Sequence, residues 1–299
     1  MTSTVPFRAL LMALSCAPIL SARPLPAQAE GLRAGATDRL ALDLPADAIV
    51  TAIGIAGSGF PELFGRQLAP ASCRWCDGST AAPSVNSVDR YFHDALTGGA
   101  LSRSAAGTLS TVVAFGLAPA VALGGALVAT GPHATEGAGL RAAAIVLEST
   151  AIAGAIAQSL KLLTARARPF VRYGHGGAPG GGYDASDFDA RLSFPSGHTT
   201  VAAALGASVA MTATLEESAA APWLWAAAGV LTASTAGLRI AAEKHYFTDV
   251  LAAAAIGGGC GVALPLLHRR GGLLGGGGGS AGVLAPASGG LGMIIGGAF

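Results

Sequence analysis

Five long runs of this sequence carry almost no charge, and each is about as long as a bilayer is thick. They cover residues 104–131, 142–160, 198–215, 222–242 and 250–267. A helix needs roughly 20 apolar residues to cross a hydrocarbon core of about 30 Å. Lipid offers no water to an open backbone, so such runs restrict the fold to an all-α bundle of five or more helices. Gly, Ala, Ser and Thr dominate them, and these small residues let helix backbones approach closely. Composition agrees: 52 % of residues are hydrophobic and 12 % charged, against roughly 25 % charged in an average soluble chain. Much of the apolarity is alanine, so a soluble helical bundle stays open as the alternative. A net charge of +1 gives no pull toward nucleic acid.

The remaining segments suggest an order of parts. Residues 1–29 have the form of a secretory signal, with Arg8, an apolar core at 9–20, and Ala27-x-Ala29 before Glu30. An extracytoplasmic segment at 30–103, a helical core at 104–270 and a Gly-rich tail at 271–299 follow. Residues 47–65 are apolar but short and interrupted by glycine, and are expected to form a core or interfacial helix rather than a span. Cys73 and Cys76, in "CRWC", are expected to form a local disulfide outside the cytoplasm. Cys260 lies in an apolar run and reads as packing. With five spans and the N-terminal segment outside, the ends at Lys161, His198, Arg239 and Asp249 all face outward. Arg141, Arg269 and Arg270 then face inward, as the excess of cytoplasmic cations requires. A further span at 47–65 would reverse every side.

The polar residues at those outward ends form a pattern. Lys161 is followed after six residues by Arg168 and Pro169; Pro195, Ser196, Gly197 and His198 open the third run; Arg239 is followed after five residues by His245 and after three more by Asp249. Lys161, Arg168 and Arg239 are three cations suited to the oxygens of one phosphoryl group. Ser196 and Gly197 stand at a helix start, where unpaired N–H groups favour an anion. Together these five residues make a phosphate cage without a metal, able to stabilise a transferring phosphoryl group. His245 and Asp249 share a helix face at a spacing of four. A carboxylate that accepts one ring N–H leaves the other nitrogen as a nucleophile. His198, beside the cage, is placed to protonate the leaving oxygen.

These three segments resemble the type 2 phosphatidic acid phosphatase superfamily, which includes membrane lipid phosphatases, soluble class A acid phosphatases and vanadium haloperoxidases. Its pattern is Lys-x6-Arg-Pro, Pro-Ser-Gly-His and Ser-Arg-x5-His-x3-Asp. One position departs, Leu238 in place of serine, and Phe247 stands where proline is usual. The resemblance spans residues 161–250 and implies a helical bundle and metal-free phosphoester hydrolysis. It implies phosphate binding by Lys161, Arg168, Ser196, Gly197 and Arg239, with His245 the nucleophile, His198 the acid and Asp249 the orienter. For a membrane protein it implies a lipid phosphate or diphosphate, with the site facing the periplasm from the inner membrane. Two alternatives remain: a secreted soluble acid phosphatase or vanadate-dependent haloperoxidase, and a lipid-phosphate-binding protein without catalysis.

Other polar residues carry less. Residues 174–191 read as a flap over the site, with His175 solvated. Asp184, Asp187 and Asp189 lack a calcium-loop spacing. Glu148 lies within a span and is expected to face the bundle interior, paired to a cation or protonated. His93 and His133 have no partner that sequence identifies.

Overall fold

A computed structural model describes residues 39–75, 85–129, 136–173 and 187–271. The described residues are helical, with no strand beyond two isolated bridges. Residues 1–29, the Gly-rich tail from 272, Cys76, His133, His175 and Asp184 lie outside them.

Several helices begin where the sequence supplies a cap. In α1, Leu44–Leu63, the Asp43 carboxylate accepts from the N–H of Ala46, and proline sits in the first turn. Asn86 caps α2, Ser87–Leu96, and Ser102 caps α3, Arg103–Val128. Helix α3 widens into a π turn at Val113–Leu117. Pro119 follows at once and has no N–H to offer the preceding turn, which accounts for the local widening. Helix α4 is Ala138–Thr164, α5 is Gly197–Leu215, α6 is Ala221–Ala241 and α7 is Phe247–Leu267.

Helix α5 is the axis of the bundle. It touches α3, α4, α6 and α7, and most of its residues are buried. Gly257 and Gly261 bring the α7 backbone directly against it; a Cβ on Gly261 would lie 2.8 Å from the Ala204 carbonyl oxygen. Helix α1 is peripheral and rests on α4. A Cβ on Gly54 would lie 2.9 Å from the Ala151 backbone, and the Ser58 hydroxyl donates to the Ala151 carbonyl at 3.0 Å.

Among the described residues, five helices are long and apolar enough to cross a membrane: α1, α3, α4, α6 and α7. This corrects the sequence expectation at two places. Helix α1 qualifies as a span, and α5, expected to be one, does not. The two helices differ in composition and in what they touch. Leu44, Ile49, Ile53 and Phe60 of α1 are exposed, and an apolar outer surface of this extent suits lipid. Helix α5 carries Thr199, Thr200, Ser208 and Thr212, whose hydroxyls lower its hydropathy and are all buried against protein. It still runs from the site's end of the bundle to the opposite end, packed along α4, α6 and α7.

Candidate active site

The polar ends named by the sequence meet at one end of the bundle. Lys161 projects from the last turn of α4. The chain leaves that helix through Ala165, whose φ is +45°, and passes Arg166 and Arg168 into a single helical turn, Pro169–Arg172. A cis peptide at Phe194–Pro195 leads to Ser196, the N-cap of α5. Arg239 lies in the last turn of α6. The loop to α7 turns through Glu243, at φ +54°, and delivers His245.

Lys161, Arg168, Gly197, His198, Arg239 and His245 line one cavity of about 830 Å³. Lys161 stands over the start of α5, where a Cβ on Gly197 would come within 3.1 Å of Nζ. Glycine there leaves room for an anion beside the helix N-terminus. Ser196 and Asp249 lie behind the wall, fully buried. The Ser196 hydroxyl caps α5, 3.0 Å from Thr199 Oγ1 and 3.4 Å from its N–H.

Both partners of the His245 ring dictate its tautomer. Nδ1 is 2.6 Å from the Ser193 carbonyl oxygen, which can only accept, so Nδ1 carries the proton. Nε2 is 3.2 Å from Arg168 Nη1, which can only donate, so Nε2 presents its lone pair. Burial first, and then the charges of Arg168, Arg239 and Lys161, hold the ring well below its ordinary pKa, so it is neutral at neutral pH. The Asp249 carboxylate, expected to accept from this ring, stands 3.8 Å from Nδ1. The carbonyl of Ser193 fills that place.

Asp249 instead ties the site together. Its Oδ2 accepts from the Ser193 hydroxyl at 2.6 Å and the Tyr246 N–H at 2.9 Å. Its Oδ1 meets Arg166 at 2.6 Å. Arg166 is fully buried between the rings of Trp75 and Tyr246, at 4.2 and 4.1 Å, and reaches Asp89 of α2 at 2.9 Å. Asp89 also accepts from the Thr248 N–H at 2.8 Å. Residues from three distant parts of the chain thus fix one loop. Arg166 and Asp89 carried no signal in the sequence beyond charge in an apolar chain.

Arg168 is held by Asp189, whose carboxylate takes Nη2 at 2.6 Å and whose carbonyl takes Nε at 2.7 Å. Burial would raise the Asp189 pKa, but Arg168 and Lys161 bring it down to about 2. The sequence found no calcium loop around this aspartate, and here it positions a cation. His198 Nε2 lies 3.1 Å from Thr111 Oγ1 of α3, with the Phe115 ring against its edge. His93 contacts Glu243 at 3.2 Å and stacks on Tyr173, which braces α2 against the loop before His245. Cys73 is disulfide-bonded and sits at this same end; the next residue's N–H meets the Ala165 carbonyl at 3.2 Å.

From the cations the cavity continues between α1 and α3, along α4. Its walls there are Ile55, Phe115, Ala122, Leu123, Val146 and Leu147, and it reaches Ala143. Eighteen residues of α4 separate Ala143 from Lys161, about 27 Å at 1.5 Å per residue. A tetrahedral oxyanion at the cationic end therefore has an apolar trough leading away from it.

Residues 142–272 match the family model described as PAP2 superfamily. No curated protein and no solved structure matches the chain.

Proposed function

With residues 142–272 taken as a PAP2 superfamily domain, a class whose activity is of the phosphatase type, we propose that this protein hydrolyses the phosphomonoester or diphosphate of a lipid through a phosphohistidine. The observation that carries the reading is the joined cavity, cationic at one end and lined mainly by apolar side chains along the rest of its length. A soluble phosphoester would need only the first part.

The chemistry follows from the side chains. Lys161, Arg168, Arg239 and the first N–H groups of α5 bind the phosphoryl oxygens and stabilise the charge that gathers on them. The Nε2 lone pair of His245 attacks phosphorus. The bond to the lipid oxygen breaks, and His198 gives that oxygen a proton. Burial and then the charges of Arg239, Lys161 and Arg168 hold the ring's pKa down to about 2. The bound phosphoryl charge opposes those cations, so that the ring carries this proton. Water then attacks the phosphohistidine, His198 takes its proton, and inorganic phosphate leaves with the Nε2 lone pair restored. No step calls on a metal or another cofactor.

The site is assigned to the outer face of the inner membrane, facing the periplasm. Disulfides persist in oxidising compartments, and Cys73 is at the site's end. Arg39, Arg269 and Arg270 are at the other end, joined by the bridge between Leu40 and Arg269, and cations favour the cytoplasmic side. With α1 crossing, an outward site puts residue 39 inward. That is incompatible with a cleaved signal that exports residues 30–43, and the outward site is the expectation kept.

The test is phosphate release by the purified full-length protein from lipid phosphates and diphosphates in mixed micelles. His245→Ala is expected to lower the rate at least about 10³-fold. Absence of release from every lipid substrate, or full activity in His245→Ala, overturns the proposal.

A further inference from the structure

The other end of the bundle holds a second cluster of titratable side chains. Asp47 comes from the first turn of α1, Glu148 from α4 and His268 from the cap of α7. Thirteen residues of α4 separate Glu148 from Lys161, about 20 Å along the helix, so the cluster is separate from the phosphate cage. His268 is fully buried, the Glu148 side chain is 2 % exposed and that of Asp47 12 %.

Three features point to a bound cation. The Nδ1 of His268 is 2.9 Å from the Leu264 carbonyl, which can only accept, so a neutral ring turns its Nε2 lone pair toward the carboxylates. That Nε2, Glu148 Oε2 and Asp47 Oδ2 are all buried without a hydrogen bond. The donor atoms lie within 4.8 Å of one another. Nε2 stands 3.3 Å from Asp47 Oδ1 and 3.2 Å from Glu148 Oε2. Metal bonds of about 2.0–2.1 Å at tetrahedral angles separate two ligands by about 3.3 Å. Neither carboxylate is paired to a lysine or arginine among the described residues.

We propose that Asp47, Glu148 and His268 bind a divalent transition-metal ion of the zinc type, which pins α1 to α4 and α7. One imidazole nitrogen with two carboxylates suits zinc and its neighbours better than magnesium or calcium, which take oxygen throughout. The role is structural. Helix α1 is one wall of the apolar trough, and it packs along α4 through Gly54, Gly57 and Ser58, with Glu62 against Gln158 towards the site.

Full-length protein in detergent, stripped with chelator and dialysed, is titrated by calorimetry with zinc, manganese and magnesium chlorides. One equivalent of zinc is expected to bind, to raise the unfolding temperature, and to exceed magnesium in affinity. Glu148→Gln and His268→Ala are expected to weaken zinc binding at least about 100-fold, since losing even the groups that orient ligands costs about 10–100-fold. Asp47→Asn, at the cluster's open edge, leaves no new cavity and reports the same loss if the buried variants do not fold. Cobalt substitution gives an independent absorption signature for a tetrahedral site. No saturable zinc binding, or one equivalent retained in all three variants, overturns the proposal and leaves an imidazolium bridging two carboxylates.

Discussion

The Ser193 carbonyl oxygen lies 2.6 Å from Nδ1 of His245, and the Asp249 carboxylate stands 3.8 Å from the same nitrogen. The backbone fixes the His245 tautomer, and Asp249 acts one step back by holding Ser193, Tyr246 and Arg166 in place. A main-chain acceptor survives any change of side chain at residue 193, which separates two substitutions that look alike on paper.

Ser193→Ala removes one hydrogen bond to a buried carboxylate, a loss of about 1.5–3 kcal/mol, and keeps the carbonyl. Its turnover is expected to stay within a few fold of the parent. Asp249→Ala leaves the Arg166 guanidinium buried without that partner, a loss of about 3–5 kcal/mol. Thermal unfolding and phosphate release, measured on both variants, test the order. Equal stability losses would contradict the anchoring role of Asp249.

His198→Gln is expected to lower kcat about 10²–10⁴-fold on an alkyl phosphate, whose leaving oxygen needs a proton. An aryl phosphate leaves as a weak base, so the loss should shrink markedly there. Identical losses on both substrates would remove His198 from the role of acid.

Ala143→Trp fills the far end of the trough, remote from every charged group in the cage. Hydrolysis of a long-chain lipid phosphate is expected to fall at least about tenfold in kcat/KM, roughly the reach of 1.4 kcal/mol of lost apolar contact. A short-chain ester should be hydrolysed as by the parent. The ratio of the two rates is the measurement.

The depressed pKa of His245 has a consequence for stability. The unfolded imidazole takes a proton near 6.5, and the folded one only well below that. Between those limits the unfolded chain binds more protons, so stability contributed by this neutral ring is lost as pH falls below 6.5. Denaturant unfolding of the parent should therefore decline more steeply on acidification than that of His245→Asn. Equal slopes would mean that burial and the three cations do not hold the ring neutral.

What the sequence makes legible here is local. Spacings such as Lys161 to Arg168 and His245 to Asp249 mark the cationic helix ends because helix starts and stops are encoded within a few residues. Partners far apart in the chain leave no such trace: Asp89 meets Arg166 across 77 positions, and Glu148 meets His268 across 120. The expectation that Glu148 faces inward, paired to a cation or itself protonated, rested on the cost of a carboxylate in lipid, which does not name histidine. Apolarity also misjudged α1 and α5. Helix α1 turns its apolar residues outward, and α5 falls short in hydropathy because it carries hydroxyl side chains buried against its neighbours. The π turn at Val113–Leu117 escaped because its cause, a proline, more often ends a helix than widens one.

The two glycines that seat α7 on α5 have a mechanical implication. His198 rides at the head of one helix and His245 is moored to the head of the other, and with backbone pressed on backbone these helices move as one stiff rod. The two imidazoles are therefore held at a fixed mutual distance, and any sideways opening of the trough falls to the outer pair, α1 and α3.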